Sequence, residues 1–175
     1  LSGMLSAGLL IYSILARYEV GFIKRLKPSF WLYNVIMLFQ MLLLQLIAYA
    51  AITKTLIWNS SIWWHAFGVF ILSALIEAAR KCLPPNEESA YLDSYSSRLG
   101  IHGSAFITFL LGCLSFYCFF SIGNIHALWL AFSLTPLFVC CLIFSAKPDK
   151  MGRNFIQLRA VMSYISLNLI VWLCL

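Results

Sequence analysis

The sequence predicts an all-α, polytopic transmembrane helix bundle, and three observations support this prediction. Hydrophobic residues make up 62% of the chain and charged residues 10%, and the mean hydropathy is +0.90. A water-soluble domain of this composition would expose large apolar patches. The apolar residues fall in runs of membrane-spanning length, and the basic residues fall in alternate breaks between those runs.

Each apolar run is interpreted as one span of a single helical domain over residues 1–175. The six runs lie at roughly 1–16, 31–53, 61–78, 102–122, 127–145 and 158–175. Five of them are long enough to cross a hydrocarbon core of about 30 Å as helices. The first run begins at Leu1 and is shorter, so we expect it to be a span whose start is missing. The chain is therefore expected to be a fragment or a processed form.

The positions of the charges predict which loops face the cytoplasm. Eleven of the twelve Lys and Arg residues lie in or beside the breaks after the first, third and fifth runs, and Lys54 alone lies elsewhere. By the positive-inside rule, loops 17–30, 79–101 and 146–157 are cytoplasmic, and both ends of the chain lie outside. Membrane lipids are expected partners of these basic loops. Because the net charge of +6 follows from this rule, we expect no nucleic-acid partner.

The segment 77–100 contains the densest group of charged side chains, at the edge of the third span. Its acidic residues are Glu77, Glu87, Glu88 and Asp93, and its basic residues are Arg80, Lys81 and Arg98. Charged groups are costly to keep beside lipid, so this segment is the first candidate for a functional site.

Local signals within this segment predict how its backbone is arranged. Pro84 and Pro85 are expected to stop the helix that leaves the third span. Asn86 can cap a short helix after them, and Asp93 with Ser94 can cap another turn before Gly100.

Two interpretations of the acidic residues remain open from spacing alone. Glu77 can pair with Arg80 or Lys81 at helical spacing, and Glu87 and Glu88 can complement a helix dipole. Alternatively, the carboxylates hold a divalent cation that bridges to a diphosphate, and the basic groups take the remaining negative charge.

The cysteines and histidines predict no disulfide framework or metal centre. No CxxC pair or Cys/His ligand spacing is present, and Cys82 stands alone in its loop. By the topology above, His65, His102 and His126 lie near the ends of spans, with no second histidine on the same helix to share a haem. We expect all three to pack at the membrane interface.

The order of a hydrophobic span, an acidic loop and Asp-Ser-Tyr-Ser-Ser-Arg-Leu-Gly at residues 93–100 resembles the second acidic motif of the UbiA family of intramembrane prenyltransferases. In that family the carboxylates are followed by a Thr-Leu-Pro-x-x-Leu-Gly type of signature. Its counterparts here are Ser94, Tyr95, Ser96, Leu99 and Gly100. The family has nine transmembrane helices, so the six spans would be the fourth to the ninth, and the first acidic motif would lie upstream of Leu1.

The resemblance implies a reaction and a set of site residues. A UbiA-like protein transfers an isoprenyl group from an isoprenyl diphosphate to a lipophilic acceptor, with Mg²⁺ bridging the diphosphate to carboxylates. The implied metal ligands are Glu77, Glu87, Glu88 and Asp93. The implied diphosphate ligands are Arg80, Lys81, Lys147, Lys150 and Arg153. The family's regular aspartate spacing is absent here, which indicates a divergent branch, and without the first acidic motif this chain alone is expected to be inactive.

Two further classes of function stay open. A non-catalytic scaffold or lipid-binding protein of the same fold would not need regular carboxylate spacing. A transporter would typically carry polar groups at mid-span, of which Gln40, Gln45 and Asn168 are the main examples. The acceptor, the prenyl chain length and the oligomeric state do not follow from the sequence.

Overall fold

The computed structural model describes residues 2–17, 29–54, 59–88, 94–123 and 127–174, and every regular element within these ranges is an α-helix. The helices are α1 (Ser2–Arg17), α2 (Phe30–Thr53), α3 (Ser60–Arg80), α4 (Tyr95–Phe120), α5 (Ala127–Ala146) and α6 (Lys150–Cys174). The predicted all-α class is confirmed. In the described part of the chain, the five helices α2 to α6 are long and apolar enough to cross a membrane. The 16 residues of α1 are fewer than a span requires.

The helices extend beyond the apolar runs that predicted them. Helix α4 begins at Tyr95 rather than near residue 102, and α6 begins at Lys150 rather than near 158. Hydropathy marks where the chain enters lipid, whereas a helical backbone satisfies its own hydrogen bonds and can continue into the aqueous side. The apolar pattern therefore locates these two helices but places their first residues too far along the chain.

The proline pair after α3 is followed by a turn. The backbone N–H of Glu87 donates to the carbonyl of Pro84 at 2.9 Å, and Glu88 is not in a helix. The prediction of a short helix after Asn86 is therefore wrong for the described residues up to 88. The next cap is confirmed at Ser94, whose Oγ accepts from the N–H of Ser97 at 2.9 Å and begins α4. Asp93 lies outside the described residues.

Four helices form the core of the bundle. Helix α3 packs against α4 and α6, and α5 closes the ring by packing against α4 and α6. Helix α2 lies against α3, and α1 lies against α2. Fully buried side chains fill the centre of the ring: Leu72, Leu75, Phe119, Leu130, Leu137, Phe144, Ile156 and Leu167.

Helices α3 and α4 pack closely at Gly68. A Cβ atom added to Gly68 would lie 2.8 Å from Cε2 of Phe119, closer than van der Waals contact permits. The absence of a side chain at Gly68 therefore makes room for the buried ring. Small residues commonly permit such close packing between membrane helices.

Gly100 interrupts the backbone of α4. Its φ of 72° and ψ of 174° lie in a region that only glycine occupies readily. Residues 95–99 thus form a first helical turn that is separate from the long part of α4. Tyr95 and Arg98 lie in this turn, at the end of the bundle where α3 and α5 end and α2, α4 and α6 begin. We call this the charged end.

The histidines in the described ranges take part in packing and hydrogen bonds near the helix ends. At the end opposite the charged end, Nδ1 of His65 lies 2.6 Å from the hydroxyl oxygen of Tyr49, which joins α3 to α2. At the charged end, His102 is hydrogen-bonded to Ser145, which joins α4 to α5. His126 lies outside the described residues.

Candidate functional site

The candidate site begins with three charged side chains at the end of α3. Glu77, Arg80 and Lys81 lie on one face because residues three and four apart are neighbours on a helix. Arg80 donates to Glu77 through Nε at 2.9 Å and through Nη2 at 2.7 Å. Nζ of Lys81 lies 3.2 Å from Oε1 of the same carboxylate. Arg80 is 64% exposed at its side chain whereas Lys81 is 17% exposed, so Arg80 is the more accessible cation.

Helix α2 supplies an aromatic and amide surface to this cluster. Nζ of Lys81 donates to Oδ1 of Asn34 at 2.6 Å, and Nδ2 of Asn34 donates to the carbonyl of Phe30 at 2.6 Å. The same ammonium lies 5.2 Å from the centre of the Phe30 ring, and the guanidinium of Arg98 lies 5.6 Å from it. Both cations are within the distance at which an aromatic face attracts positive charge.

Tyr95, the first residue of α4, packs its ring against the aromatic residues of α2. The centre of its ring lies 4.9 Å from that of Phe30 and 5.3 Å from that of Trp31, with the rings edge to face. Such arrangements are favourable for aromatic pairs. The three rings and Asn34 therefore form the boundary between the charged cluster and the apolar interior.

An apolar cavity of about 230 Å³ lies behind these rings, between α2, α3 and α4. Trp31, Asn34 and Tyr95 line its end near the charged cluster. The remaining wall is apolar and consists of Val35, Leu38, Phe70, Ile71, Ala74, Ile107, Leu110 and Leu111. A group of cations at one end of an apolar cavity suits an amphiphile that has an anionic head.

Hydrogen bonds join the residues that follow α3 to the first turn of α4. The N–H of Tyr95 donates to the carbonyl of Lys81 at 3.1 Å, and the N–H of Leu83 donates to Oγ of Ser96 at 2.6 Å. A second link joins this segment to the start of α6, where Arg153 donates to the carboxylate of Glu87. Both members of this ion pair are largely buried, at 20% and 25% exposure.

The structure brings some of the predicted site residues together and separates others. Glu77, Arg80 and Lys81 form one cluster, and Glu87 and Arg153 form another pair. Lys147 lies 3.7 Å from Asp149, and both Lys150 and Glu88 are exposed. Asp93, a predicted metal ligand, lies outside the described residues.

The described carboxylates do not fit a magnesium centre in this arrangement. Arg80 and Lys81 contact the carboxylate of Glu77, and Arg153 contacts that of Glu87. Within the described ranges no group of three or more His, Cys, Asp or Glu residues converges on one point. Mg²⁺ therefore stays a prediction from the resemblance.

Sequence reasoning did not select Asn34, Tyr95 or Arg98 for the site. Asn34 is buried, at 5% exposure, within a largely apolar helix, and a polar residue in such a helix is the available signal. Arg98 stands out in the sequence only as a loop cation. Phe30 and Trp31 could not be selected, because hydropathy does not indicate which side chains face another helix.

Cys82 follows Lys81 and is fully buried, which leads to a testable expectation. Burial raises the pKa of the Cys82 thiol, and a hydrogen bond with Thr108 partly opposes this. We expect a water-soluble maleimide to modify Cys82 far more slowly in the folded protein than in SDS, with a rate that still rises above pH 9. Peptide mapping by mass spectrometry measures this. Rapid modification that reaches a plateau below pH 9 would contradict the buried position.

Comparisons with known proteins do not assign the chain to a family. No family model, no curated protein and no solved structure matches it.

Proposed function

We propose that this chain binds an isoprenyl diphosphate at the charged end of the bundle, as the donor site of a UbiA-like prenyltransferase. The observation that carries the proposal is the apolar cavity between α2, α3 and α4, with the basic cluster at one end. The diphosphate would lie on Arg80, Lys81 and Arg98, and the isoprenyl tail would enter the cavity past Tyr95. By the positive-inside rule, this end faces the cytoplasm.

Charge supports the position of the head group. Arg80 is more exposed than Lys81, and its guanidinium can bind phosphate oxygens through two parallel hydrogen bonds. Lys81 is fixed by Glu77 and Asn34, so little conformational entropy is lost when it contacts a ligand.

The cavity supports the position of the tail. Its wall is apolar and it contains the rings of Trp31, Phe70 and Tyr95. An isoprenyl chain is branched and unsaturated, and aromatic faces pack well against such groups. Aromatic rings near the head group could also stabilise the allylic cation that forms when the C–O bond to the diphosphate breaks.

A non-catalytic protein that binds the same lipid is the second candidate. The ion pairs of Glu77 and Glu87 favour it, because these carboxylates are already neutralised by protein cations. Both candidate functions require binding of the isoprenyl diphosphate. Only the prenyltransferase would transfer the isoprenyl group to a lipophilic acceptor. Binding and transfer are therefore measured separately.

The binding test uses the full-length protein in detergent with farnesyl diphosphate, and farnesol as the uncharged control. We expect farnesyl diphosphate to raise the melting temperature and farnesol to have a much smaller effect. Replacing Arg80 with Gln is expected to weaken binding at least about tenfold, because a charge-assisted hydrogen bond contributes about 1.5–3 kcal/mol. Lys54→Gln removes an exposed charge at the opposite end of the bundle and serves as the matched control.

A second variant tests the cavity. Replacing Ala74 with Phe fills part of the space behind Tyr95 and is expected to weaken binding of farnesyl diphosphate while leaving binding of inorganic pyrophosphate unchanged. If neither Arg80→Gln nor Ala74→Phe alters binding in the folded protein, the donor site is wrong. If binding is confirmed and no lipophilic acceptor becomes prenylated, the non-catalytic function is correct.

A further inference from the structure

Arg159 is an unusual residue on the surface of α6. It is exposed and lies nine residues after Lys150, which at about 1.5 Å per residue places it about 13 Å along the helix. No described carboxylate forms an ion pair with it, and it lies near Cys140 on α5. An arginine that faces lipid keeps its charge by reaching the level of the phosphate head groups.

A groove between α5 and α6 begins at Arg159. With a volume of about 600 Å³, it is larger than the cavity at the proposed donor site. Phe132, Met162 and Leu169 line its walls, and Trp129 lies near its other end. Arg159 and Leu169 are separated by ten residues of α6, or about 15 Å at 1.5 Å per residue. The groove therefore runs from the phosphate level toward the opposite leaflet, as an acyl chain does.

We propose that this groove binds one acyl chain of an anionic phospholipid whose phosphate contacts Arg159. The positive charge of Arg159 favours an anionic lipid, because a cation at one end of an apolar groove complements a negative head group with a long tail. The groove lies on helices different from those of the proposed donor site, so the two proposals stand independently.

Native mass spectrometry of the full-length protein tests the proposal. The protein is released from vesicles that contain equal amounts of phosphatidylglycerol and phosphatidylcholine with the same acyl chains. We expect one phosphatidylglycerol molecule to remain bound in preference to phosphatidylcholine. Arg159→Gln is expected to weaken this binding about fivefold, since one basic residue near an anionic surface contributes a factor of about this size. Arg159→Lys should preserve most of it, and Lys54→Gln, which removes an exposed charge outside the basic loops, should preserve all of it.

A second variant keeps the result interpretable if Arg159→Gln does not fold. Replacing Ser166 with Trp fills the groove without altering the charge, and is expected to release the bound lipid. Soluble glycerol 3-phosphate should not compete, because it has no acyl chain. Retention of phosphatidylglycerol in both Arg159→Gln and Ser166→Trp would overturn the proposal, as would displacement of the lipid by glycerol 3-phosphate.

Discussion

Replacing Glu77 with Gln is expected to lower the melting temperature of the protein by several degrees without weakening its binding to farnesyl diphosphate. The carboxylate of Glu77 accepts from both Arg80 and Lys81, at 2.7 and 3.2 Å. Without it, the largely buried Lys81 keeps only its contacts with Asn34 and Phe30. Loss of a partner for a partly buried charge costs about 2 kcal/mol in the free energy of unfolding.

The binding result separates the two interpretations of Glu77. If Glu77 mainly holds the cations in place, Glu77→Gln releases positive charge toward the diphosphate, and we expect binding to increase by up to about fivefold. If Glu77 is a magnesium ligand, the same substitution removes a magnesium-dependent part of the binding. Melting and binding are measured with Mg²⁺ and with EDTA. Asp149→Asn is the matched control, because Asp149 is a partly exposed carboxylate at the same end and is not an implied metal ligand.

Replacing Gly68 with Leu is expected to destabilise the bundle strongly, and replacing Phe119 with Ala is expected to relieve much of the damage. A side chain at Gly68 would overlap the buried Phe119 ring, and overpacking costs about 1–3 kcal/mol or more. Phe119→Ala alone leaves a cavity in the packed interior and is expected to cost about 3 kcal/mol.

In the double variant, the leucine at position 68 occupies the space that the Phe119 ring leaves. We expect the double variant to lose about 1–2 kcal/mol less than the sum of the single losses, which denaturation in mixed micelles measures. Gly8→Leu is the control for adding a leucine to a helix, because the space around Gly8 is open. Additive losses in the double variant would show that Gly68 and Phe119 do not pack against each other.

The membrane-crossing length and apolarity of α2 to α6 could be predicted from the sequence, because long apolar runs have few alternatives to helices in lipid. The start of α6 could not, since Lys150 lies in polar sequence beyond the run, and the start of α4 was indicated only by the cap at Ser94. Hydropathy responds to lipid, and a helix that continues into water leaves no comparable signal.

The candidate site was predictable only within single helices. Helical spacing indicated the contacts of Glu77 with Arg80 and Lys81, and the structure contains them. The hydrogen bond between Lys81 and Asn34 spans 47 residues of sequence. Contacts of this kind depend on which helices are neighbours, and the apolar pattern of a membrane helix contains little information about its partners.

The break at Gly100 has a consequence for how such a site could diversify. The first turn of α4 places Tyr95 and Arg98 beside Phe30, where we propose that a lipid head group binds, while Ile107, Leu110 and Leu111 beyond the break line the cavity. Because one glycine separates these two parts, substitutions in the long part of α4 can reshape the tail cavity without turning Arg98 away from Phe30. A related protein that kept this glycine could therefore accept a longer or shorter lipid and still recognise the same head group.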